Sequence, residues 1–498
     1  MSAARYSIRI ASNGRTIVAV DEFSFVREEI TFLFGESGIG KSMLCKAVYG
    51  QLDPDELQVS VSDMPYHEYL TAPETVAVRQ SSFFVFQEPS SHLHPLMRLG
   101  EQLHEGSITG VESDERILSR FWKTTDNAKL KGILDVYPKP YRPSGGEKQR
   151  VLLAMAFKKI ALLAPSKTMQ PTFFVFDEPT GSLDNSYRDL FLSFLFEEYR
   201  KMPFTAMIIT HDYSIISEVR KNHKDLLGRV HYKELSRVGE GRVVLRDFSP
   251  DDYLSWLEQR TVSRREAAAP SAEDVVRVAP EFRIFGHAHR VFSDPERTRP
   301  ADLVIRKGEM VYVKAPSGIG KTTLAKIIVG LYAPEKFTMT LCGRSVTEKA
   351  PRKFFEQEIW GRRAGMVFQH ADEALDLEAT VAETFGGLPL GYKLTEEKLH
   401  TALAELFEGG VTDVFCAKKV KFLSGGQKQR LNLLRTIILH PDLIILDEPL
   451  NGLDFDSVRK VIDLLEEKRK AGSALLMISH NEEIFDALVD AEHCYYLA

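Results

Sequence analysis

The chain repeats itself, and that repetition limits its possible folds more than any other feature of its 498 residues. Gly35-Glu-Ser-Gly-Ile-Gly-Lys41-Ser42 returns 280 positions later as Ala315-Pro-Ser-Gly-Ile-Gly-Lys321-Thr322. Ser144-Gly-Gly-Glu-Lys-Gln-Arg150 returns as Ser424-Gly-Gly-Gln-Lys-Gln-Arg430, again 280 positions on. Phe86-Gln87 recurs as Phe368-Gln369, Phe176-Asp-Glu-Pro179 as Leu446-Asp-Glu-Pro449, and His211 as His480, at offsets of 282, 270 and 269. Five motifs in one order divide the chain into two homologous halves, expected at 1–255 and 276–498. The stretch 256–275 between them contains TVSRREAAAPSAED, a polar, Ala-rich linker composition. Each half exceeds 200 residues, enough to bury a core of its own.

Short apolar runs alternate with longer helical patterns in both halves. Ile30–Phe34, Phe173–Phe176 and Ala206–Ile209 read as buried strands, as do Met310–Val313, Leu443–Leu446 and Leu475–Ile478. Near-continuous apolar strands followed by helices predict an α/β fold with a parallel sheet covered on both faces. The 57 and 55 positions between the Gln and Ser-Gly-Gly motifs carry mainly helical patterning and read as helical insertions.

The Lys-Ser and Lys-Thr motifs have P-loop spacing between an apolar strand and a helix. Gly35, Gly38 and Gly40, with Ser37, let backbone N–H groups converge on phosphate oxygens, as do Ser317, Gly318 and Gly320 in the repeat. Lys41 and Lys321 are expected to neutralise phosphate charge, Ser42 and Thr322 to ligate Mg²⁺, and Thr323 to line the nucleotide site. Ala315 departs from the glycine pattern and fits only with a negative φ. Asp177 and Asp447 end buried strands, as a Walker B aspartate does, and are expected to hold Mg²⁺. Glu178 and Glu448, next along, would orient or deprotonate the attacking water. An Asp-Glu pair alone is more often a solvated turn; its placement 136 and 126 residues after the P-loop lysine favours the catalytic reading. His211 and His480 are expected at the γ-phosphate, and Gln87 and Gln369 at the Mg²⁺ and the attacking water. Tyr6 and Phe285, upstream of the P-loops, are adenine-stacking candidates, with core packing as the competing reading.

Walker A, Gln loop, Ser-Gly-Gly signature, Walker B, the Asp loops Ser182-Leu-Asp184 and Gly452-Leu-Asp454, and the His loop, in that order and twice, resemble ABC-type ATPases over nearly the whole chain. The resemblance implies tandem cassettes, each a RecA-like core with an antiparallel β part and a helical subdomain. It also implies two composite sites closing as a pseudo-dimer within one chain. Site one would combine Lys41, Gln87, Asp177, Glu178 and His211 with Ser424, Gly425, Gly426 and Gln427. Site two would combine Lys321, Gln369, Asp447, Glu448 and His480 with Ser144, Gly145, Gly146 and Glu147. Asp184 and Asp454 belong to the same nucleotide machinery by resemblance. A flexible connection gives each half a local concentration of the other on the order of mM. ATP and Mg²⁺ are the implied cofactors.

Phe86-Gln-Glu-Pro-Ser-Ser-His-Leu-His-Pro95, running on to Gly100-Glu-Gln102, is similar to the Gln-loop region of dipeptide, oligopeptide and nickel importer ATPases. There that region receives a helix from a membrane subunit. The resemblance therefore implies separate transmembrane permease partners and a cytoplasmic protein, peripheral on the inner face of the membrane. Such importer subunits usually carry a C-terminal extension and are usually separate chains, and neither holds here. A soluble twin-cassette ATPase that remodels an enzyme complex, as in methyl-coenzyme M reductase activation or a carbon–phosphorus lyase assembly, is the alternative. Lys plus Arg number 64 against 70 Asp plus Glu, so the basic excess of a general nucleic-acid binder is missing. Four scattered cysteines support neither disulfides nor a zinc site, and no apolar leader or 18-residue apolar run is visible.

Overall fold

The computed structural model describes residues 3–104, 111–136, 144–163, 171–181, 185–239, 241–265, 271–316, 318–407 and 411–498. They form two compact units, Met1–Pro250 and Asp251–Ala498.

In the first unit the P-loop strand Ile30–Gly35 is buried at every position. Its parallel neighbours are Val230–Gly239 on one side and Ala206–Ile209 on the other. Phe174–Asp177 and Phe84–Val85 continue the parallel sheet outward. Residues apolar on both faces are what a doubly covered parallel sheet requires. Arg242–Asp247 pairs antiparallel with Val230–Gly239, and beyond it the antiparallel strands Arg15–Val26, Ala3–Ser12, Gln58–Val61 and Met64–Pro65 extend the same sheet to ten strands. Helices Leu99–His104, Val111–Trp122 and Asn127–Leu134 fill the segment between the Gln and signature motifs.

The second unit repeats the core with Met310–Lys314, Ala474–Ile478, Leu443–Asp447 and Ala364–Val367 parallel in a seven-stranded sheet. A separate four-stranded antiparallel sheet holds Leu303–Arg306, Asp274–Val278, Thr338–Leu341 and Arg344–Thr347. Its insertion is less helical than the pattern predicts: Glu396–Ala404 is the longest helix there, and short turns supply the rest.

The expected linker 256–275 begins inside the helix Pro250–Arg265, which packs on the second unit. Tyr253 and Trp256 are buried against Phe455, with ring centroids 5.7 and 5.5 Å away. The Tyr253 hydroxyl donates to Glu483 at 2.7 Å, and Arg264 pairs with Asp490 at 3.0 Å. Of the polar letters that read as linker, 261–265 belong to this helix, and 266–270 lie outside the described residues.

One duplicated contact leaves no motif in the sequence. Glu29 and Glu309, each beside the start of its P-loop strand, are 4% and 3% exposed. Glu29 pairs with His231 and with Arg229 at 3.0 Å, and Glu309 with His493 at 3.0 Å. The histidines precede structurally matched strand positions, yet lie 262 residues apart in sequence, outside the common offset. All four cysteines are free thiols. No helix among the described residues is long and apolar enough to cross a membrane.

Candidate nucleotide sites

Each P-loop turns at the C-terminal end of its strand. Gly35, Gly38 and Gly40 have φ of 133, 78 and 112°, and Gly318 and Gly320 have 84 and 102°. Side chains there would be strained. A Cβ on Gly35 would lie 2.7 Å from the Leu235 carbonyl oxygen, and one on Gly40 2.8 Å from Val18. Ala315 stands at the Gly35 position and is not among the positive-φ residues, so the second loop opens on a backbone any residue accepts. Ser37 is partly exposed at the first turn; Ser317 lies outside the described residues.

Helices Lys41–Tyr49 and Lys321–Ile328 start directly from these glycines. Lys41 Nζ donates to the carbonyls of Gly35 at 2.5 Å and Glu36 at 3.0 Å, and Lys321 Nζ to Ala315 at 2.5 Å and Pro316 at 3.4 Å. Both ammonium groups are buried, which lowers their pKa values against the raising pull of the nearby carboxylates. Each lysine thus braces its own loop. Thr323 sits in the first turn, its Cβ 3.7 Å from where a Gly320 Cβ would lie.

The Ser42 and Thr322 hydroxyls hydrogen-bond Asp177 and Asp447. Burial raises the Asp177 pKa to about 6, with the Ser42 bond opposing it, and raises that of Asp447 against the Thr322 bond. Asp177 Oδ1 and Asp447 Oδ2 are buried without a hydrogen-bond partner. A hydroxyl and a carboxylate with one orphaned buried oxygen form a donor set that fits a hard divalent cation.

Glu178 and Glu448 follow with φ of 46 and 49°, left-handed backbone enforced when their N–H groups bond Ile209 and Ile478 of the next strand. The duplicated strain marks these two positions. Their surroundings differ. Glu178 Oε2 accepts from Gln87 Nε2 at 3.0 Å, and Oε1 lies 3.5 Å from His211 Nδ1, an ion-pair distance without hydrogen-bond geometry. Burial pushes the Glu178 pKa up, but His211, Lys41 and Gln87 together hold it below the ordinary value, while His211 is itself raised against its own burial. Glu448 Oε2 accepts from Ser479 Oγ at 3.0 Å and His480 N at 3.2 Å, and its Oε1 is 3.6 Å from His480 Nε2. Burial dominates there and pushes Glu448 up to about 7. Gln369 is exposed and makes no hydrogen bond to Glu448.

Ser144 and Ser424 cap the helices Gly145–Ala161 and Gly425–Ile437 through capping boxes. Their first-turn residues Gly145, Gly146, Gly425 and Gly426 place backbone N–H groups at helix N-termini suited to an anion. Glu147 is a larger change from Gln427 than the sequence suggests: its Oε2 takes both the N–H and the hydroxyl of Ser144, at 2.8 and 2.9 Å. A carboxylate then sits where Gln427 places a neutral amide. Asp454 accepts from Ser457 N at 2.8 Å and caps its own helix; Asp184 lies outside the described residues.

Of the adenine candidates, Tyr6 is not gathered with the phosphate loop. Tyr6 stacks on Phe25 and lines a cavity of about 600 Å³ with Thr172, Phe173 and Thr205. Those residues precede strands Phe174–Asp177 and Ala206–Ile209, so the cavity lies at the sheet edge opposite the P-loop. Phe285 is 67% exposed on a hairpin turn, edge-on to Tyr332 at 5.6 Å. The aromatic bordering the second loop is His289, its Cε1 3.3 Å from a Cβ built on Gly320, where the first half has Val18. The matched glycine contacts were not visible in sequence because the hairpins before the two P-loops differ in length.

The ABC transporter family profile matches residues 19–181 and 298–451, which together cover more than half of the chain. Relatives match along most of their length. The peptidoglycan transport ATP-binding protein YejF of Agrobacterium fabrum is 28% identical over 98% of this chain and 90% of its own. The glutathione import ATP-binding protein GsiA of Pectobacterium atrosepticum is 24% identical over 94% and 79%. The solved structure titled RNase-L Inhibitor shares the fold with TM-score 0.63 at 18% identity, covering 98% of this chain and 89% of its own. Two P-loops with buried Walker B carboxylates, two capped signature helices and two family matches in the same order place this chain in the ABC transporter family, as a tandem-cassette ATPase.

Proposed function

We propose that the chain is the ATP-hydrolysing subunit of an importer-type transporter whose channel is formed by separate membrane proteins. What carries this reading is the loop after Gln87. Gln102 pins that loop, accepting from His94 N at 2.7 Å and donating to the carbonyls of His94 and Met97 at 3.0 and 2.9 Å. Glu101 accepts from Arg98 N at 2.9 Å. The pinned loop leaves Leu96, nine residues past Gln87, 73% exposed, while Gln87 itself touches Glu178. An apolar surface contact is thereby joined through one short segment to the hydrolytic carboxylate. The relatives named for peptidoglycan and glutathione transport agree with this use of the loop.

In each half, the lysine turns from its own loop carbonyls to the terminal phosphates of ATP, and the loop N–H groups take the bridging and β-phosphate oxygens. Ser42 with Asp177, and Thr322 with Asp447, would hold Mg²⁺, which supplies neutralisation of the phosphate oxygens; Gln87 and Gln369 would approach it. Glu178 or Glu448 accepts a proton from the attacking water as its oxygen bonds to the γ-phosphorus. The β–γ bridging oxygen leaves with ADP. His211 and His480 donate toward the γ-phosphate. ATP binding and hydrolysis at the two loops would drive the conformational cycle that couples to transport.

The test is affinity capture with the Glu178→Gln/Glu448→Gln chain and ATP, from gently solubilised membranes and cytosol in parallel. A polytopic membrane protein retained with ATP, and lost on Leu96→Glu, supports the transporter reading. A soluble enzyme retained instead, with no membrane subunit, overturns it in favour of a remodelling ATPase.

A further inference from the structure

The two halves secure their Gln loops differently. The base of each loop is tied alike to the signature helix: Lys148 Nζ donates to Ser90 at 3.0 Å, and Lys428 pairs with Asp372 at 2.9 Å. The contrast lies at the carbonyl just before the glutamine. In the second half, Gln429 Nε2 and Asn432 Nδ2 both donate to the Phe368 carbonyl oxygen, each at 3.3 Å, and Gln369 stays off Glu448. In the first half Gln87 is bonded to Glu178. Gln149, the counterpart of Gln429, is 1% exposed, and neither its amide nitrogen nor its amide oxygen has a partner. The counterpart of Asn432 is Leu152, which has no donor to offer.

We propose that Gln429 and Asn432 are positioning residues that hold Gln369 away from Glu448, and that the first half, left with the single amide of Gln149, lets Gln87 reach its glutamate and hydrolyse faster. A carbonyl oxygen has two lone pairs, and two amides fill both. Releasing the second loop strands two buried amides, whereas releasing the first strands one, which the Gln87–Glu178 bond offsets. The buried, unpartnered Gln149 is the vacated end of this exchange. The difference is written in one substitution, Leu152 against Asn432, on helices otherwise matched at a constant offset.

This inference rests on Glu178 and Glu448 being the hydrolytic carboxylates. Leu152→Asn supplies the first half with the missing amide, and Asn432→Leu removes it from the second. The full chain with Leu152→Asn loses kcat by about three- to tenfold, the range one hydrogen bond spans, with KM for ATP unchanged. Asn432→Leu raises kcat by less, up to about twofold, because the second site then only matches the first, which already carries most of the turnover. Each effect disappears in a double-mutant cycle with Gln87→Ala or Gln369→Ala, which a packing effect would not do. Leu already occupies the matched position in the first half, and Gln429→Ala serves as a second way to loosen the second loop. The proposal is overturned if both substitutions move kcat in the same direction, or if their effects persist without the glutamine. A Glu178→Gln/Glu448→Gln chain that still hydrolyses ATP normally would refute the underlying reading instead.

Discussion

The same substitution at two matched glutamates is expected to change stability in opposite directions. Glu448 is 3% exposed, and burial lifts its carboxyl from the ordinary 4.5 to about 7. Between those values the folded chain binds more protons at this site than the unfolded chain, so stability falls as pH rises through the window. Above pH 7 the whole penalty is present. Each tenfold change in proton affinity is worth 1.36 kcal/mol, which makes the penalty about 3 kcal/mol. Glutamine is neutral throughout, and its carbonyl still accepts from Ser479 Oγ and His480 N. Glu448→Gln is therefore worth up to about 3 kcal/mol at pH 8 and close to nothing at pH 4.5. In a unit of this size, 1 kcal/mol moves the melting midpoint by roughly 2–4 °C, so a rise of about 6–12 °C is expected at pH 8.

Glu178 has the reverse sign. Its carboxyl is held below the ordinary value against burial, so it stabilises the fold above that value and loses the effect as pH falls. Glu178→Gln lowers the midpoint at pH 8, and the loss shrinks toward pH 4. Thermal unfolding of the full chain with chelator and without nucleotide, at pH 5, 6.5 and 8, measures both. A Glu448→Gln shift that is negative, or equal at all three values, refutes the electrostatic reasoning. So does a Glu178→Gln shift of the same sign as that of Glu448→Gln.

Further expectations rest on separate features. Asp177→Asn stabilises the nucleotide-free first unit at pH 8, because burial holds Asp177 at about 6, while abolishing Mg²⁺-dependent turnover there; melting and ATPase assays should diverge. Gly35→Ala costs the first unit about 1–3 kcal/mol and its ATP binding, given φ of 133° and the 2.7 Å approach to Leu235, whereas Ala315→Gly leaves nucleotide affinity within about twofold. Equal losses in nucleotide titrations of the two variants would contradict this. Trp256→Ala destabilises the second unit by about 3–5 kcal/mol, and residues 251–498 fold alone with a higher midpoint than residues 276–498.

What the sequence made legible, and what it hid, follow from one physical distinction. Phosphate chemistry needs particular atoms at fixed spacing along one strand, loop and helix. Lys41, Ser42, Asp177 and Glu178 were therefore readable, and so were their copies in the second half. Features made by packing across distant segments carry no such spacing. Glu29 finds His231, and Glu309 finds His493, through strand pairing, and the intervening insertions spoil the offset that would have betrayed them. Tyr6 has the residue type for stacking a base, but strand direction puts it at the far edge of the sheet. The helix Pro250–Arg265 presents polar letters outward and hides Tyr253 and Trp256 inside, so composition alone makes it a linker. The asymmetry between the sites was hidden in the same way. Both glutamates, both histidines and both glutamines are present, which predicts two hydrolytic sites but not which of them is the faster. What separates them is that one loop carbonyl is held by two amides and its counterpart by none, and Leu152 and Asn432 both read as ordinary interior helix positions until the carbonyl Asn432 faces is known.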